Sequence, residues 1–173
     1  MHKDKKILIT GGTGFLGKAV VSTLQSKGYT NLVAKGSSVD LTCCEETLDY
    51  FSAEKPEVVI HLAATVGGIG ANKDNPGLFI YNNLVMGTNT IEASRINKVD
   101  KFVMIGTVCA YPKFTPVPFK EEDMWNGYPE ETNAPYGVAK KALMQLVQSY
   151  HEQYGFNGVN LIPVNMYGPH DNF

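Results

Sequence analysis

The sequence predicts an α/β fold built on a doubly wound parallel sheet, and three observations carry that prediction. Short apolar runs bounded by turn residues alternate with longer segments of helical period, the pattern of strand–helix–strand units. A cluster of glycines separates the first apolar run from the first helical segment. The third apolar run is continuous rather than alternating, as a parallel strand buried on both faces requires.

In chain order, residues 6–10 read as the first strand and 15–27 as its helix, ended by Gly28. Residues 31–35 form a short second strand, and 42–54 a helix closed by Pro56. Residues 57–62 are the third strand. After the glycine-rich Val66-Gly67-Gly68-Ile69-Gly70, a long helix covers 76–97, with Ile80, Leu84, Gly87, Ile91 and Ile96 near helical spacing. Residues 101–106 are the fourth strand. The segment 111–133, interrupted by Pro and Gly, is too long for an ordinary connection and is a candidate functional loop. Asn133 is placed to cap the next helix, with Pro135 tolerated in its first turn, and that helix runs to about Tyr154. Residues 158–164 make the fifth strand, and no helix follows to cover its face.

Composition bounds the function. The chain has 173 residues, 43% apolar and 18% charged, with 15 Lys+Arg against 17 Asp+Glu, a formal charge of −2. That balance argues against a nucleic-acid or anionic-membrane partner, which needs a basic excess, and the chain is too apolar to be disordered. No stretch approaches the roughly 20 apolar residues of a membrane span, and the N-terminus lacks a signal-like apolar core. Three cysteines, with Cys43 and Cys44 adjacent, fit neither a disulfide framework nor a CxxC metal site. His2, His61, His151 and His170 show no ligand spacing, so no metal is expected. A reduced, cytosolic globular protein is the expectation.

Three constellations carry chemistry. Gly11-Gly12-Thr13-Gly14-Phe15-Leu16-Gly17 is a GxxGxxG lying between strand and helix. Glycine permits a sharp turn and close approach of a pyrophosphate, and the helix N-terminus adds free N–H donors and partial positive charge. This placement is that of a Rossmann-type dinucleotide site. At the end of the second strand, Ala34-Lys35-Gly36-Ser37-Ser38 offers a cation and hydroxyls where NAD enzymes usually carry a carboxylate. A 2′-phosphate would find partners there, which favours NADP; the plainer reading of Lys35 is a solvated loop lysine. Tyr136-Gly137-Val138-Ala139-Lys140 sets a phenol and an amine one helical turn apart. A neighbouring ammonium is expected to lower the phenol's pKa and make it a proton donor and acceptor near neutrality. Such spacing arises by chance in a chain of this composition, and the pair gains weight from its place at the head of the helix before the fifth strand. Gly106-Thr107-Val108-Cys109-Ala110-Tyr111-Pro112 lies at the carboxyl end of the fourth strand, where ligands gather in open α/β sheets. Thr107 could donate to a substrate oxygen and Cys109 could act as a thiolate base; taken singly, either is equally a packed small side chain.

Together these segments resemble the extended short-chain dehydrogenase/reductase family, matching the GxxGxxG, His61-Leu62-Ala63-Ala64, the hydroxyl at Thr107, and the Tyr136/Lys140 pair in order. Within it the chain is similar to the GDP-L-fucose synthase branch through four further motifs. These are Ala63-Ala64-Thr65-Val66-Gly67-Gly68-Ile69-Gly70-Ala71-Asn72, Cys109-Ala110-Tyr111-Pro112-Lys113, Asn133-Ala134-Pro135-Tyr136, and Asn165-Met166-Tyr167-Gly168-Pro169-His170-Asp171-Asn172-Phe173. The resemblance implies NADP(H) as cofactor and GDP-4-keto-6-deoxy-D-mannose as substrate, epimerised at C3 and C5 and then reduced at C4. It implies that Tyr136 protonates the C4 oxygen, Lys140 holds the cofactor ribose and tunes Tyr136, Thr107 hydrogen-bonds the keto oxygen, and Cys109 is the epimerisation base. Leu62, Ala63 and Ala64 would line the middle of the cofactor, and Pro163, Val164, Asn165 and Met166 the nicotinamide. Asp40, Leu41, Ile105, Gly106 and Val108 complete the expected cofactor-binding set. A homodimer through the two long helices is also implied.

Thr107 stands where many members have Ser, and Thr13 where some carry an Arg near the adenine phosphate. Members are nearly twice as long, and their catalytic His and GDP-holding residues fall beyond Phe173. Residues 1–173 are therefore expected to be the cofactor-binding domain, with the substrate domain largely absent. The chain would be a fragment of an active enzyme or one completed by a separate partner. Two other readings remain: a non-catalytic cofactor-binding or dimerisation module, and another nucleotide-sugar epimerase or dehydratase.

Overall fold

The structure, a computed structural model, describes residues 2–169 and 171. The final motif's His170, Asn172 and Phe173 thus lie outside the described residues. Five parallel strands, β1 (Ile7–Thr10), β2 (Leu32–Val33), β3 (Val58–His61), β4 (Lys101–Ile105) and β5 (Gly158–Leu161), form one sheet in the order β2-β1-β3-β4-β5. The connections are α1 (Phe15–Ser26), α2 (Cys44–Glu54), the short α3 (Ile69–Asp74) with α4 (Pro76–Ile96), and α5 (Ala134–Tyr154). This is a Rossmann-like doubly wound fold. Strand order reverses between β1 and β3, which opens a crevice beyond their carboxyl ends.

The helices divide between the two faces. On one, Leu8, Val59, Phe102 and Met104 meet Phe51 of α2, Ile91 of α4 and Leu143 of α5 in the main core. On the other, Ile7, Ile9 and Val58 pack with Val20, Val21 and Leu24 of α1. β1 is buried at all four positions, which explains its unbroken apolar run. Nothing comparable covers the α1 side of β5 among the described residues, and Leu161 there is 48% exposed.

Helix α4 buries Gly87 and Ile91 as its apolar spacing predicts, but Ile80 and Leu84 are only half-buried and polar residues share the inward face. Ile96 is exposed, and the inward residues are Phe79, Asn83, Gly87, Thr90, Ile91 and Ser94. The polar members satisfy themselves locally: Asn83 Nδ2 donates to Phe79 O at 2.7 Å, Thr90 Oγ1 to Met86 O at 2.7 Å and Ser94 Oγ to Thr90 O at 2.7 Å. Small side chains let α4 pack closely against α5. Asn133 also departs from expectation. It sits at the head of α5 but caps nothing with its side chain, whose Nδ2 donates instead to Glu130 Oε2 at 3.1 Å. The 111–133 segment is more structured than a loop, holding a 3₁₀ turn at Glu121–Trp125 and a bridge between Pro112 and Pro129. Among the described residues no helix is long and apolar enough to cross a membrane, and no three His, Cys, Asp or Glu cluster as a metal site.

Candidate functional site

The turn leaving β1 is held by backbone geometry. Gly11 has φ +69°, and a Cβ there would stand 2.8 Å from the amide nitrogen of Ala63, so only glycine lets the two strand ends cross this closely. Gly14 N donates to Gly11 O at 3.0 Å, tightening the turn into α1. A Cβ on Gly17 would collide with Gly11 O and Gly12, so α1 begins in direct contact with the turn. The first turn of α1 has neither a side-chain cap nor an acidic residue. Its amides are therefore available to an anion.

This turn floors a cleft of about 750 Å³ that also takes in the ends of β2, β3 and β4. Among the expected cofactor-binding residues, Gly11, Thr13, Gly14, Phe15, Leu16, Gly17, Lys35, Asp40, Leu41, Leu62, Ala63, Ala64, Ile105, Tyr136, Lys140 and Met166 line it. Gly12, Gly106, Thr107, Val108, Pro163, Val164 and Asn165 do not. Gly12 is turned toward β2, where a Cβ would meet Ala34 Cβ at 2.7 Å, and Val164 is largely exposed.

At the inner end Lys140 is 2% exposed, and its Nζ donates to Ile105 O at 3.0 Å. Burial pulls its pKa down to about 8. One carbonyl leaves two ammonium N–H donors, which suits hydroxyl acceptors entering from the cleft. Tyr136 is not where the expected tuning would put it. Lys140 Nζ stands 5.9 Å from the centre of its ring, and burial, reinforced by a nearby Cys109 charge, pushes the phenol up to about 12. The expected lowering is absent because burial desolvates the phenolate, and Lys140, itself pulled down to about 8, has lost its charge before the phenol ionises. Thr107 Oγ1 accepts from Cys109 N at 3.1 Å, which fixes the 3₁₀ turn Val108–Ala110. Helix α5 rests on that turn, since a Cβ on Gly137 would collide with Cys109 O.

At the outer end Lys35 Nζ pairs with Glu54 Oε1 at 3.1 Å and lies 5.1 Å from the centre of the Tyr50 ring. Asp40 Oδ1 accepts from Thr42 N at 2.9 Å and Thr42 Oγ1 at 2.6 Å, and these bonds hold its carboxyl below the usual range.

Sequence reasoning passed over several residues of the cleft. Thr10, Gly36, Val39, Tyr50, Thr65, Val66 and Met86 also line it. Asn83 on α4 clamps its rim: Oδ1 accepts from Thr65 N at 3.1 Å and Nδ2 donates to Thr65 O at 2.8 Å. Hydrophobic spacing gave no signal for Asn83, which shares its buried helix face with Thr90 and Ser94.

Comparison with known proteins gives the same architecture a family context. The NAD dependent epimerase/dehydratase family model matches residues 7–173. The GDP-L-fucose synthase of Sinorhizobium fredii is 42% identical, aligned over 98% of this chain and 54% of its own length. A GDP-mannoheptose C4 reductase from Campylobacter jejuni with NADP bound superposes with TM-score 0.95 at 37% identity, covering 99% of this chain and 55% of that one. A GDP-L-fucose synthetase from Naegleria fowleri bound to NADP superposes with TM-score 0.90 at 33% identity, over 100% and 57% of the two chains. The chain spans about half the length of the curated relatives it matches.

Proposed function

The chain belongs to the NAD dependent epimerase/dehydratase family, and from that premise we propose that residues 1–173 are the NADP(H)-binding domain of a GDP-L-fucose synthase-type enzyme. The observation that carries this reading is one cleft joining the uncapped, glycine-lined start of α1 to the buried Lys140 and the Tyr136 hydroxyl. The cleft's volume and its anion-ready floor fit a dinucleotide.

In this reading the α1 amides hold the pyrophosphate, Lys35 and Ser37 face the 2′-phosphate, and Lys140 donates to the ribose hydroxyls. The bound cofactor supplies a hydride for C4 of GDP-4-keto-6-deoxy-D-mannose. Tyr136 delivers its hydroxyl proton to the C4 oxygen, and burial keeps that proton in place at neutral pH, the state a reductive donor requires. Thr107 donates to the same oxygen. Cys109, on the turn under α5, takes the acidified C3 and C5 protons before reduction, and an acid that the family resemblance places beyond residue 173 returns a proton to the opposite face of each carbon. The reading includes a homodimer through α4 and α5, where Leu78, Tyr81, Ile96 and Tyr154 are exposed.

The test is fluorescence titration with NADPH and NADH, followed by NADPH oxidation with the keto-sugar in the full-length enzyme. Tighter binding of NADPH supports the assignment. Indifference to both dinucleotides removes it.

A further inference from the structure

Glu54 is the last residue of α2, where the negative end of the helix disfavours a carboxylate. Two ammonium groups compensate it: Lys6 Nζ at 2.8 Å from Oε2 and Lys35 Nζ at 3.1 Å from Oε1. The three side chains differ in where they stand. Lys35 lines the cleft, as do Thr13, Ser37 and Tyr50, whereas Glu54 and Lys6 are not among its lining residues. Lys35 is also half exposed and Glu54 only one-fifth exposed. The cation that faces the cleft is thus paired with a carboxylate that does not line it.

We propose that Glu54 is a positioning residue that sets the dinucleotide preference by competing with the 2′-phosphate for Lys35, with Lys6 as the counter-ion that permits the exchange. The proposal rests on the NADP(H) reading above and goes beyond it by assigning the selectivity to a residue outside the cleft. When a phosphate dianion enters, Lys35 swings from Glu54 toward it over the Tyr50 ring, a surface that attracts an ammonium. Glu54 keeps Lys6, so no carboxylate is left unpaired at the helix end. A cofactor lacking the 2′-phosphate offers Lys35 nothing better than Glu54, and the pair stays closed. The three groups together carry one net positive charge. Removing the carboxylate raises that charge, and removing Lys6 tightens Glu54 on Lys35.

The experiment measures dissociation constants for NADPH and NADH at low and high salt in the wild-type chain and in Glu54→Gln, Lys6→Gln, Lys35→Gln and Glu54→Gln/Lys35→Gln. Melting temperatures are recorded for each. Glu54→Gln is expected to raise the preference for NADPH about three- to tenfold at low salt, an effect that shrinks as salt screens it. Lys6→Gln is expected to lower the preference by a similar factor. A general loss of fold would weaken both cofactors together and leave the ratio unmoved. In the Lys35→Gln background the Glu54 change should no longer alter the ratio. A preference insensitive to Glu54, or an effect of Glu54 that persists without Lys35, overturns the proposal while NADPH selectivity of the wild type stands. No NADPH preference in the wild type overturns the underlying reading itself.

Discussion

The hydroxyl of Thr10 stands 2.8 Å from Nδ1 of His61, across the β1–β3 boundary where the sheet's order reverses. Thr10 Oγ1 also accepts from Ala63 N at 3.3 Å, so the one hydroxyl bridges the amide and the imidazole. A short chain, amide to hydroxyl to imidazole, thereby ties the β3 exit to the turn that floors the cleft. Burial, with the Lys140 charge adding to it, depresses His61 to about 3.

Acid sensitivity follows from that residue. His61 stays neutral in the folded protein while its unfolded form takes a proton below about 6.5. The unfolded state then binds more protons, so stability falls as pH drops from 6.5 toward 3. Between pH 7 and 5 the loss from this group is about 2 kcal/mol. Urea unfolding should show that loss in the wild type and lack it in His61→Leu. An equal acid slope in both proteins would refute the assignment.

Lys140 makes a prediction of the same sign in an alkaline window. Its folded pKa of about 8 lies below the ordinary 10.5, so the unfolded state binds more protons between those values and stability rises with pH across the window. Lys140→Met should abolish that rise. The same variant should weaken NADPH binding about tenfold, the loss expected for hydrogen bonds from a charged donor. Tyr136→Phe should leave affinity within about twofold, because the hydroxyl is assigned to the reacting oxygen rather than to holding the cofactor. Equal losses in both variants would contradict that division of labour.

The sheet was legible in the sequence because buried parallel strands such as 7–10 are written as apolar runs, and the Gly11–Gly17 turn because glycines at that place have few other uses. The Tyr136/Lys140 pair was found by spacing, but spacing says nothing of desolvation, and the direction of the Tyr136 shift came out reversed. The polar members of the inner face of α4 were missed for a related reason, whereas Gly87 and Ile91 were found. Asn83, Thr90 and Ser94 are buried by bonding to their own helix or to Thr65, a solution that hydrophobic periodicity cannot register. Lys35 was found as a cation near the cleft. Its engagement by Glu54, 19 residues away, depends on where β2 and the end of α2 meet.

Two glycines of the turn separate fold from ligand. A Cβ on Gly17 has no room beside Gly11 O and Gly12, both backbone, so Gly17→Ala should destabilise the fold by roughly 1–3 kcal/mol and lose cofactor binding with it. Gly14 has φ −75° and ψ −179°, open to any residue, and a Cβ there meets only Gly11 O at 3.3 Å. Gly14→Ala should therefore fold almost normally, yet weaken NADPH binding at least tenfold by intruding where the pyrophosphate is proposed to lie. Melting temperature and titration measured together decide it, and unimpaired binding by Gly14→Ala would move the pyrophosphate elsewhere.

Contact between α4 and α5 turns on Gly87, where a Cβ would overlap the Leu143 methyl groups. Leu143 is buried in the main core, so Leu143→Ala should cost about 2–5 kcal/mol. Gly87→Ala gains about 1 kcal/mol of helix propensity but must displace that side chain, which outweighs the gain. Once Leu143 is truncated the obstruction is gone and part of the void is refilled. Gly87→Ala should then reverse sign, stabilising the Leu143→Ala protein by about 1 kcal/mol. Urea unfolding of the four proteins in this cycle measures the reversal, and strictly additive effects would show that Gly87 and Leu143 do not limit how closely the two helices approach.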